Sequence, residues 1–214
     1  MAPEIIKICG ITRVEDGLMA AREGATAIGL NFYPGSLRYV DFGRAAVIAA
    51  ATPHGVLRVG IFVDETADRI AETARAVGLD VVQLHGHESA YDCEVLEPLR
   101  VWKAFRVGDG FEFRQLADFR CEAFLLDTAG GDGALGGSGR TFPWEMARAA
   151  SRYGKIIIAG GLDGTNLAEA IRMVSPWGVD SSSRLERSPG VKDAVKVRDF
   201  VRAARSQEAP VSHV

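Results

Sequence analysis

Eight short runs rich in apolar and β-branched residues recur along the chain, and stretches with helical periodicity separate them. The runs span residues 5–9, 27–32, 57–63, 81–85, 101–105, 123–128, 155–160 and 178–182. They are continuously apolar rather than alternating, which is typical of parallel strands covered on both faces. Eight strand–helix units at intervals of roughly 20 to 30 residues predict a closed (β/α)8 barrel. A doubly wound open sheet has the same local pattern and is the alternative.

Helical periodicity is clearest over residues 66–77, 164–174 and 192–205, where apolar residues recur every three or four positions. The predicted helix ends are marked by glycine or proline, at Gly24, Pro53, Gly78 and Gly154. We find no internal repeat and no linker rich in proline or serine. The sequence therefore predicts one barrel domain over residues 1–205, followed by a frayed tail over 206–214.

Composition narrows the class of partner and the compartment. A formal net charge of −3 gives no electrostatic reason to expect nucleic acid or an acidic membrane as a partner. Three cysteines, Cys9, Cys93 and Cys121, are widely spaced and odd in number, which favours neither a disulfide framework nor a zinc site. No apolar run approaches the roughly 18 residues of a membrane span. We expect a cytoplasmic protein.

One glycine pattern imitates a dinucleotide-binding motif. Gly131, Gly133 and Gly136 match Gly-x-Gly-x-x-Gly after a strand. That motif requires a helix opening at its last glycine and an acidic residue ending the next strand, and the sequence offers neither. We interpret the segment as a loop that covers a substrate.

Cys9 and Asp127 each close an apolar run, and each is followed by glycine-rich loop sequence. In a barrel the carboxyl ends of all strands share one mouth, so the two side chains would become neighbours. A thiol and a carboxyl placed there form a plausible base and acid for proton transfer. Taken singly, Cys9 is also typical of a small core residue and Asp127 of a loop cap.

Further polar or small residues follow other strands. Arg38, His85 and Asp180 lie at or near the ends of strands two, four and eight. Glycines and serines after strands seven and eight are typical of the phosphate pocket of barrels, at Gly160, Gly161, Ser182 and Ser183. We expect a short helix after strand eight to add its positive end. His85 and His87 have the spacing of a metal pair but lack a third ligand, so no metal is expected.

Ordered motifs extend this pattern over nearly the whole chain. They are residues 7–12 (KICGIT), 32–40 (FYPGSLRYV), 82–86 (VQLHG), 125–128 (LLDT), 136–142 (GGSGRTF) with Trp144, 159–162 (AGGL), 178–180 (GVD) and 189–193 (PGVKD). With these motifs the chain resembles the phosphoribosylanthranilate isomerase family of tryptophan biosynthesis. The fold of that family is a (β/α)8 barrel, which agrees with the count of strands.

The resemblance implies an Amadori rearrangement of N-(5-phosphoribosyl)anthranilate to an aminoketone. Asp127 matches the general acid, which would protonate the ring oxygen. Cys9 matches the general base, which would take the proton from C2. We expect cations or loop amides to lower the pKa of the Cys9 thiol for this task. The reaction needs no metal or organic cofactor, because the substrate nitrogen supplies the electron pair that opens the ring.

The resemblance also implies how substrate binds. Arg38 matches the residue that pairs with the anthranilate carboxylate, Asp180 makes a polar substrate contact, and Gly160, Gly161, Ser182 and Ser183 form the phosphate cradle. The chain departs from the family over residues 181–186 (SSSRLE), where the family usually reads VSSGVE. The missing glycine leaves the path of this loop open. We hypothesise that Arg184, which replaces it, contacts the phosphate.

Two other functions compete. One is a different sugar-phosphate barrel. Pentulose-phosphate epimerases need several metal ligands, and histidine-pathway isomerases need aspartates on strands one and five, where this chain has Cys9 and Phe105. The other is a degenerate barrel that only binds a phosphorylated ligand, a role that needs neither Cys9 nor Asp127. We expect a small phosphorylated substrate as the partner, and a monomer, with a dimer as the alternative.

Overall fold

Eight parallel strands close a barrel in the computed structural model, which describes residues 1–108, 110–128 and 144–206. Each strand pairs with its neighbour in chain order, and β8 returns to β1. The strands are β1 (Ile5–Ile8), β2 (Ala27–Asn31), β3 (Leu57–Phe62), β4 (Val81–Leu84), β5 (Val101–Val107), β6 (Ala123–Thr128), β7 (Lys155–Ile158) and β8 (Gly178–Ser181). The predicted (β/α)8 barrel is confirmed, and the open sheet is excluded.

Seven α-helices surround the barrel in the described part of the chain. They are α1 (Val14–Glu23), α2 (Phe42–Ala51), α3 (Ala67–Val77), α4 (Ala90–Glu94), α5 (Trp144–Ala150), α6 (Leu167–Val174) and α7 (Ala194–Arg205). Gly24 and Gly78 end α1 and α3 in the left-handed conformation, as predicted for a glycine that stops a helix. The side chain of Asp193 accepts hydrogen bonds from the first turn of α7 and fixes where that helix begins.

The connection from β5 to β6 differs from the prediction of eight α-helices. It carries a 3-10 helix, Phe113–Asp118, in place of an α-helix. Phe105 packs against the rings of Phe111, Phe119 and Phe124, so aromatic contacts anchor this short connection. Strand β5 also extends to Val107 rather than ending at residue 105. Phe105 therefore lies within the strand, not at its end.

A hairpin that the sequence did not reveal follows β8. Its strands are β9 (Glu186–Ser188) and β10 (Val191–Lys192), which pair antiparallel with Lys192 opposite Glu186. Gly190 has φ of 76° in the turn between them, so the motif at residues 189–193 builds this hairpin. The hairpin carries Glu186 and Lys192 to the barrel mouth, where Arg38 meets them.

The barrel interior is apolar toward the amino ends of the strands and polar toward the mouth. Alternate strand residues, among them Ile5, Trp102 and Leu125, form a buried cluster inside the barrel. Strand residues that face outward pack against the helices in two further clusters, a larger one and a smaller one around β3, β4 and β5. Lys7 shares the inner face with Ile5, because side chains alternate along a strand. A polar layer of buried side chains therefore begins directly below the mouth.

No helix in the described ranges is long and apolar enough to span a membrane. The glycine pattern at Gly131, Gly133 and Gly136, and the motif at residues 136–142, lie outside the described residues. The same holds for residues 207–214 of the tail, while Ser206 caps α7.

Candidate active site

Cys9 follows β1 directly and lies at the mouth of the barrel. Its backbone N–H donates to the carbonyl oxygen of Ser181, 2.9 Å away on β8. Gly29 of β2 makes room for the thiol, since a Cβ at that position would lie 2.8 Å from the Cys9 sulfur. Gly10 comes next, with φ of 73°, and a Cβ there would lie 2.9 Å from the hydroxyl oxygen of Ser182. Two glycines thus let Cys9 and the β8 loop approach closely.

The surroundings of the thiol are charged. Burial raises the pKa of Cys9, the positive charges of Lys7 and Lys192 oppose that rise, and the negative charge of Asp180 adds to it. The expected cations are therefore present, but the expected lowering of the thiol pKa is wrong for the ligand-free site. The physical reason is that the thiol lies in the barrel interior next to a carboxylate as well as next to ammonium groups.

Asp180 lies one layer below the mouth. Its Oδ2 is 3.0 Å from Nζ of Lys7, in register with it on the neighbouring strand β1. Although burial lowers the pKa of Lys7, the charge of Asp180 raises it overall, so the ammonium stays charged. Oδ1 of Asp180 has no hydrogen-bond partner among the described residues. The sequence pointed to Asp180 but not to its pairing with Lys7.

Asp127 closes the inner face of β6 and is partly exposed, with 30% of its side chain accessible. Its Oδ2 lies 3.5 Å from Nε2 of His85, which follows β4. On the other side of the imidazole ring, Nε2 of Gln83 lies 2.7 Å from Nδ1. Gln83 is fully buried in β4. The acid candidate therefore ends a line of three polar side chains that starts inside the barrel.

The loop after β4 is pinned by a buried carboxylate. Glu88 accepts hydrogen bonds from the backbone N–H groups of Asp64 and Gly86, at 2.9 Å each. Nζ of Lys103, on β5, donates to Glu88 at 2.8 Å and to the carbonyl oxygen of Gly86 at 2.9 Å. These bonds hold the backbone at Asp64, after β3, and at Gly86, the residue that follows His85.

Arg38 makes a two-pronged ion pair with Glu186 of β9. Its Nε and Nη2 donate to the two carboxylate oxygens at 3.0 and 2.7 Å. This hydrogen bonding raises the pKa of Arg38. Burial acts to raise the pKa of Glu186, but Arg38 and Lys192 lower it overall. A guanidinium held by one edge keeps its Nη1 edge for a further anion, and three-quarters of the Arg38 side chain is shielded from solvent.

The loop between β2 and α2 carries Arg38 to this position. The Asn31 side chain accepts from the backbone N–H of Tyr33 at 2.9 Å and donates to the Ser36 hydroxyl at 3.2 Å. That hydroxyl accepts from the backbone N–H of Arg38 at 3.1 Å. The ring of Tyr33 packs over Gly35, where a Cβ would lie 2.6 Å from it. The loop is thus shaped by its own polar side chains.

The residues predicted to form a phosphate cradle follow β7 and β8, which are neighbouring strands of the barrel. Gly160 and Gly161 have φ of 86° and 69°, a conformation that side chains other than glycine rarely adopt. Ser182 precedes a 3-10 helix, Ser183–Leu185, where a short helix was expected. Three residues are too short to give a helix dipole of consequence. Any binding of an anion here must use individual backbone N–H groups, hydroxyls and nearby cations.

Arg184 is exposed within that 3-10 turn and is not among the residues of positive φ. The loop therefore takes a path that needs no glycine at this position. Burial raises the pKa of Asp163, but hydrogen bonds from Thr165 and the charge of Arg184 lower it overall. Asp163 lies just after Gly161, so Arg184 sits beside the cradle.

His85 and His87 face different partners. His87 is exposed and its Nδ1 lies 3.2 Å from Oδ2 of Asp64, whereas His85 lies between Gln83 and Asp127. The two rings therefore do not converge on one point. No group of three or more His, Cys, Asp or Glu side chains with metal-binding geometry occurs in the described ranges.

Known proteins resemble this chain in sequence. The family described as N-(5'-phosphoribosyl)anthranilate (PRA) isomerase matches residues 6–203. The N-(5'-phosphoribosyl)anthranilate isomerase of Solibacter usitatus is 48% identical over 202 residues, which cover 94% of this chain and 98% of that relative.

Solved structures agree with the sequence relatives. Phosphoribosyl anthranilate isomerase from Thermotoga maritima superposes with a TM-score of 0.88 at 37% identity, covering 96% of this chain and 100% of that one. A phosphoribosyl anthranilate isomerase in complex with reduced 1-(o-carboxyphenylamino)-1-deoxyribulose 5-phosphate superposes with a TM-score of 0.86 at 35% identity, with the same coverage.

Proposed function

The chain belongs to the N-(5'-phosphoribosyl)anthranilate isomerase family, and we propose that Asp127 and Cys9 are the acid and the base of its rearrangement. The observation that carries this proposal is the position of both side chains at one barrel mouth, after β1 and at the end of β6. Loss of anthranilate-type fluorescence on incubation with phosphoribosylanthranilate tests it.

The first step opens the furanose ring. Asp127, as the neutral acid, donates its proton to the ring oxygen while the bond from that oxygen to C1 breaks. The lone pair of the anthranilate nitrogen forms the C1=N bond and leaves an iminium. Partial exposure of Asp127 at the mouth lets its carboxyl reach the substrate, and His85 lies beside it at 3.5 Å.

The second step removes the proton from C2. The Cys9 thiolate takes this proton, and the electron pair moves to form the C1=C2 bond of an enolamine as the iminium nitrogen is neutralised. Lys7 and Lys192 provide the positive charge that favours a thiolate at this position. The enolamine then gains a proton at C1 and loses one from the hydroxyl at C2, giving the aminoketone.

We assign Arg38 to the anthranilate carboxylate. Glu186 holds one edge of the guanidinium at 3.0 and 2.7 Å, so the remaining donors point in a fixed direction. The planar guanidinium group of an arginine can donate two parallel hydrogen bonds to the two oxygens of a planar carboxylate. Asp180, through its unpartnered Oδ1, is suited to a substrate hydroxyl.

Replacing Arg38 by methionine should raise KM for phosphoribosylanthranilate by about 10- to 100-fold, because a hydrogen bond to a charged group contributes about 1.5–3 kcal/mol. The expected change in kcat is smaller, since the carboxylate is remote from C1 and C2. Steady-state kinetics measure both constants. Arg38→Lys is the matched control, which keeps the charge but loses the fork and should fall between the two. An unchanged KM in Arg38→Met would remove Arg38 from the binding site.

We assign the substrate phosphate to Gly160, Gly161, Ser182 and Ser183. The two glycines turn the backbone after β7 so that N–H groups are free to approach an anion. Ser182 and Ser183 add hydroxyl donors after β8. Arg184 lies at the edge of this cradle and adds a positive charge beside Asp163.

Arg184→Ala should raise KM by about 5-fold, which corresponds to about 1 kcal/mol for an exposed charged contact. The effect should shrink at high salt, because exposed charges are screened. Arg187→Ala, an exposed arginine of the same hairpin, is the control and should leave KM unchanged. Equal values of KM for wild type and Arg184→Ala at low salt would exclude the phosphate contact.

Assembly and location belong to the same proposal. We expect a monomer, with a dimer as the alternative, working in the cytoplasm, where its three free cysteines would stay reduced. Of the competing functions, the binding-only barrel predicts that a product analogue binds while no substrate is turned over. The presence of both Cys9 and Asp127 at one barrel mouth favours the isomerase, because a site that only binds ligand needs neither a base nor an acid.

A further inference from the structure

A continuous line of polar side chains runs from the barrel interior to Asp127. Nε2 of Gln83 lies 2.7 Å from Nδ1 of His85, and Nε2 of His85 lies 3.5 Å from Oδ2 of Asp127. Gln83 is completely buried, while His85 and Asp127 stand at the partly open mouth. The role assigned to Asp127 uses only the last member of this line.

The direction of the hydrogen bond between Gln83 and His85 follows from the chemistry of the amide and the imidazole. An amide nitrogen donates and does not accept, so Nδ1 of His85 must accept and carries no proton. The proton of the neutral ring is then on Nε2, where it points toward the carboxyl of Asp127. The buried amide therefore selects one of the two tautomers of the imidazole.

The same contact disfavours a proton on Nδ1 of His85. Such a proton would place an N–H group directly against the N–H groups of Gln83 at 2.7 Å. Oδ2 of Asp127 faces Nε2 of His85 at 3.5 Å, so the other carboxyl oxygen is the one free to face the substrate.

We propose that Gln83 is a positioning residue that fixes the tautomer of His85, so that the proton on Nε2 of the ring points toward Asp127. This inference rests on the proposed role of Asp127 as the general acid. It gives a reason for a fully buried glutamine in a strand whose other residues are apolar.

The surroundings hold the three groups in place. The backbone N–H of His85 donates to the carbonyl oxygen of Phe62 at 2.8 Å, and Glu88 pins the residue that follows. Oε1 of Gln83 has no hydrogen-bond partner among the described residues, so no bond at that atom fixes the amide in another orientation. The charged side chains nearby form ion pairs, which are Lys103 with Glu88, Lys7 with Asp180, and His87 with Asp64. Arg106, in register with Asp127, is exposed.

Nitrogen NMR of protein labelled at histidine tests the tautomer without reference to activity. The chain has four histidines, and the signals that vanish in His85→Asn identify the ring concerned. We expect the neutral ring of His85 to be unprotonated at Nδ1 and protonated at Nε2. A neutral ring protonated at Nδ1 would overturn the proposal.

Gln83→Glu reverses the chemistry at Nδ1. A carboxylate accepts from an N–H at that nitrogen and so favours the other tautomer, in which Nε2 presents no proton to Asp127. We expect signals of a ring protonated at Nδ1 and a fall in kcat of about 10- to 100-fold, the size of effect known for groups that orient metal-binding histidines, with a smaller change in KM. Gln83→Met is the uncharged variant of similar volume and should show a smaller fall, since it only removes the donor.

A double-variant cycle separates positioning from simple packing. In a His85→Asn background, Gln83→Glu should cause no further loss of kcat, because Gln83 acts through His85. Independent, multiplicative losses would contradict the proposal, as would wild-type kcat with wild-type His85 signals in Gln83→Met. If Gln83→Glu does not fold, Gln83→Met and the wild-type spectrum still test the role of Gln83.

An active Asp127→Asn would overturn the assignment of Asp127 as the acid. An inactive Asp127→Asn together with fully active Gln83 variants would overturn only the role of Gln83.

Discussion

Cys9→Ser should lower kcat by about 10² to 10⁴-fold, the range typical of a general acid or base. A serine hydroxyl has nearly the same size but does not ionise in the working range of an enzyme. Because burial raises the pKa of the Cys9 thiol, the base is protonated at low pH, and wild-type kcat should rise as pH rises through that pKa. Steady-state rates across pH measure both effects, and the alkaline rise should be absent in Cys9→Ser.

Cys121→Ser is the matched control for the thiol. Cys121 is half-buried on the outer side of the barrel and donates to the carbonyl oxygen of Ala123 at 3.4 Å, a bond that a serine hydroxyl keeps. This variant should retain wild-type kcat and the wild-type dependence on pH. A Cys9→Ser enzyme as active as Cys121→Ser would show that another group takes the proton from C2.

Asp127→Asn should also lower kcat by about 10² to 10⁴-fold. Asparagine keeps the shape of the side chain, but it has no acidic proton for the ring oxygen. Asp118→Asn, an exposed aspartate at the end of the 3-10 helix between β5 and β6, is the control and should remain fully active.

Substrate deuterated at C2 of the ribose distinguishes the two variants. Removal of the C2 proton limits Cys9→Ser, so that variant should show a primary isotope effect. Ring opening limits Asp127→Asn, so deuteration at C2 should leave its rate unchanged. An isotope effect in both variants, or the reverse assignment, would contradict the division of roles between the two side chains.

The barrel and its mouth could be predicted because both depend on local sequence. Continuous apolar runs such as those around Val81 and Ile157 report strands that are buried on both faces, and the residue after each run must point to the mouth. Cys9 and Asp127 follow from that rule alone. The fifth connection could not be predicted, because its 3-10 helix depends on the contacts of Phe105 with three aromatic rings of other segments.

The ion pairs that the site residues make could not be predicted from the sequence, for a different reason. Arg38 and Glu186 are 148 positions apart, and the hairpin that joins them has strands of only three and two residues. Such short strands leave no periodic pattern. Lys7 and Asp180 become a pair only because β8 closes on β1 in one register. A lysine within an apolar strand was the available signal for that pair, since a buried charge needs a counter-charge.

The direction of the pKa shift of Cys9 could not be predicted from the sequence, and the structure shows that the pKa is raised. Cations were expected near the thiol, and Lys7 and Lys192 are there. The balance between these charges, the carboxylate of Asp180 and burial depends on side-chain positions rather than on residue types. The proposed role of Cys9 as the base therefore predicts an activity that rises with pH.

Turnover of phosphoribosylanthranilate by the purified wild-type chain tests the central claim most directly. The assay follows loss of anthranilate-type fluorescence, with a chelator present and the product identified by mass and by its ketone. We predict a rate proportional to enzyme concentration and the formation of 1-(2-carboxyphenylamino)-1-deoxyribulose 5-phosphate. The double variant Cys9→Ser/Asp127→Asn should show only the background rate. Folded wild-type protein that does no better than this double variant would contradict an isomerase built on Cys9 and Asp127.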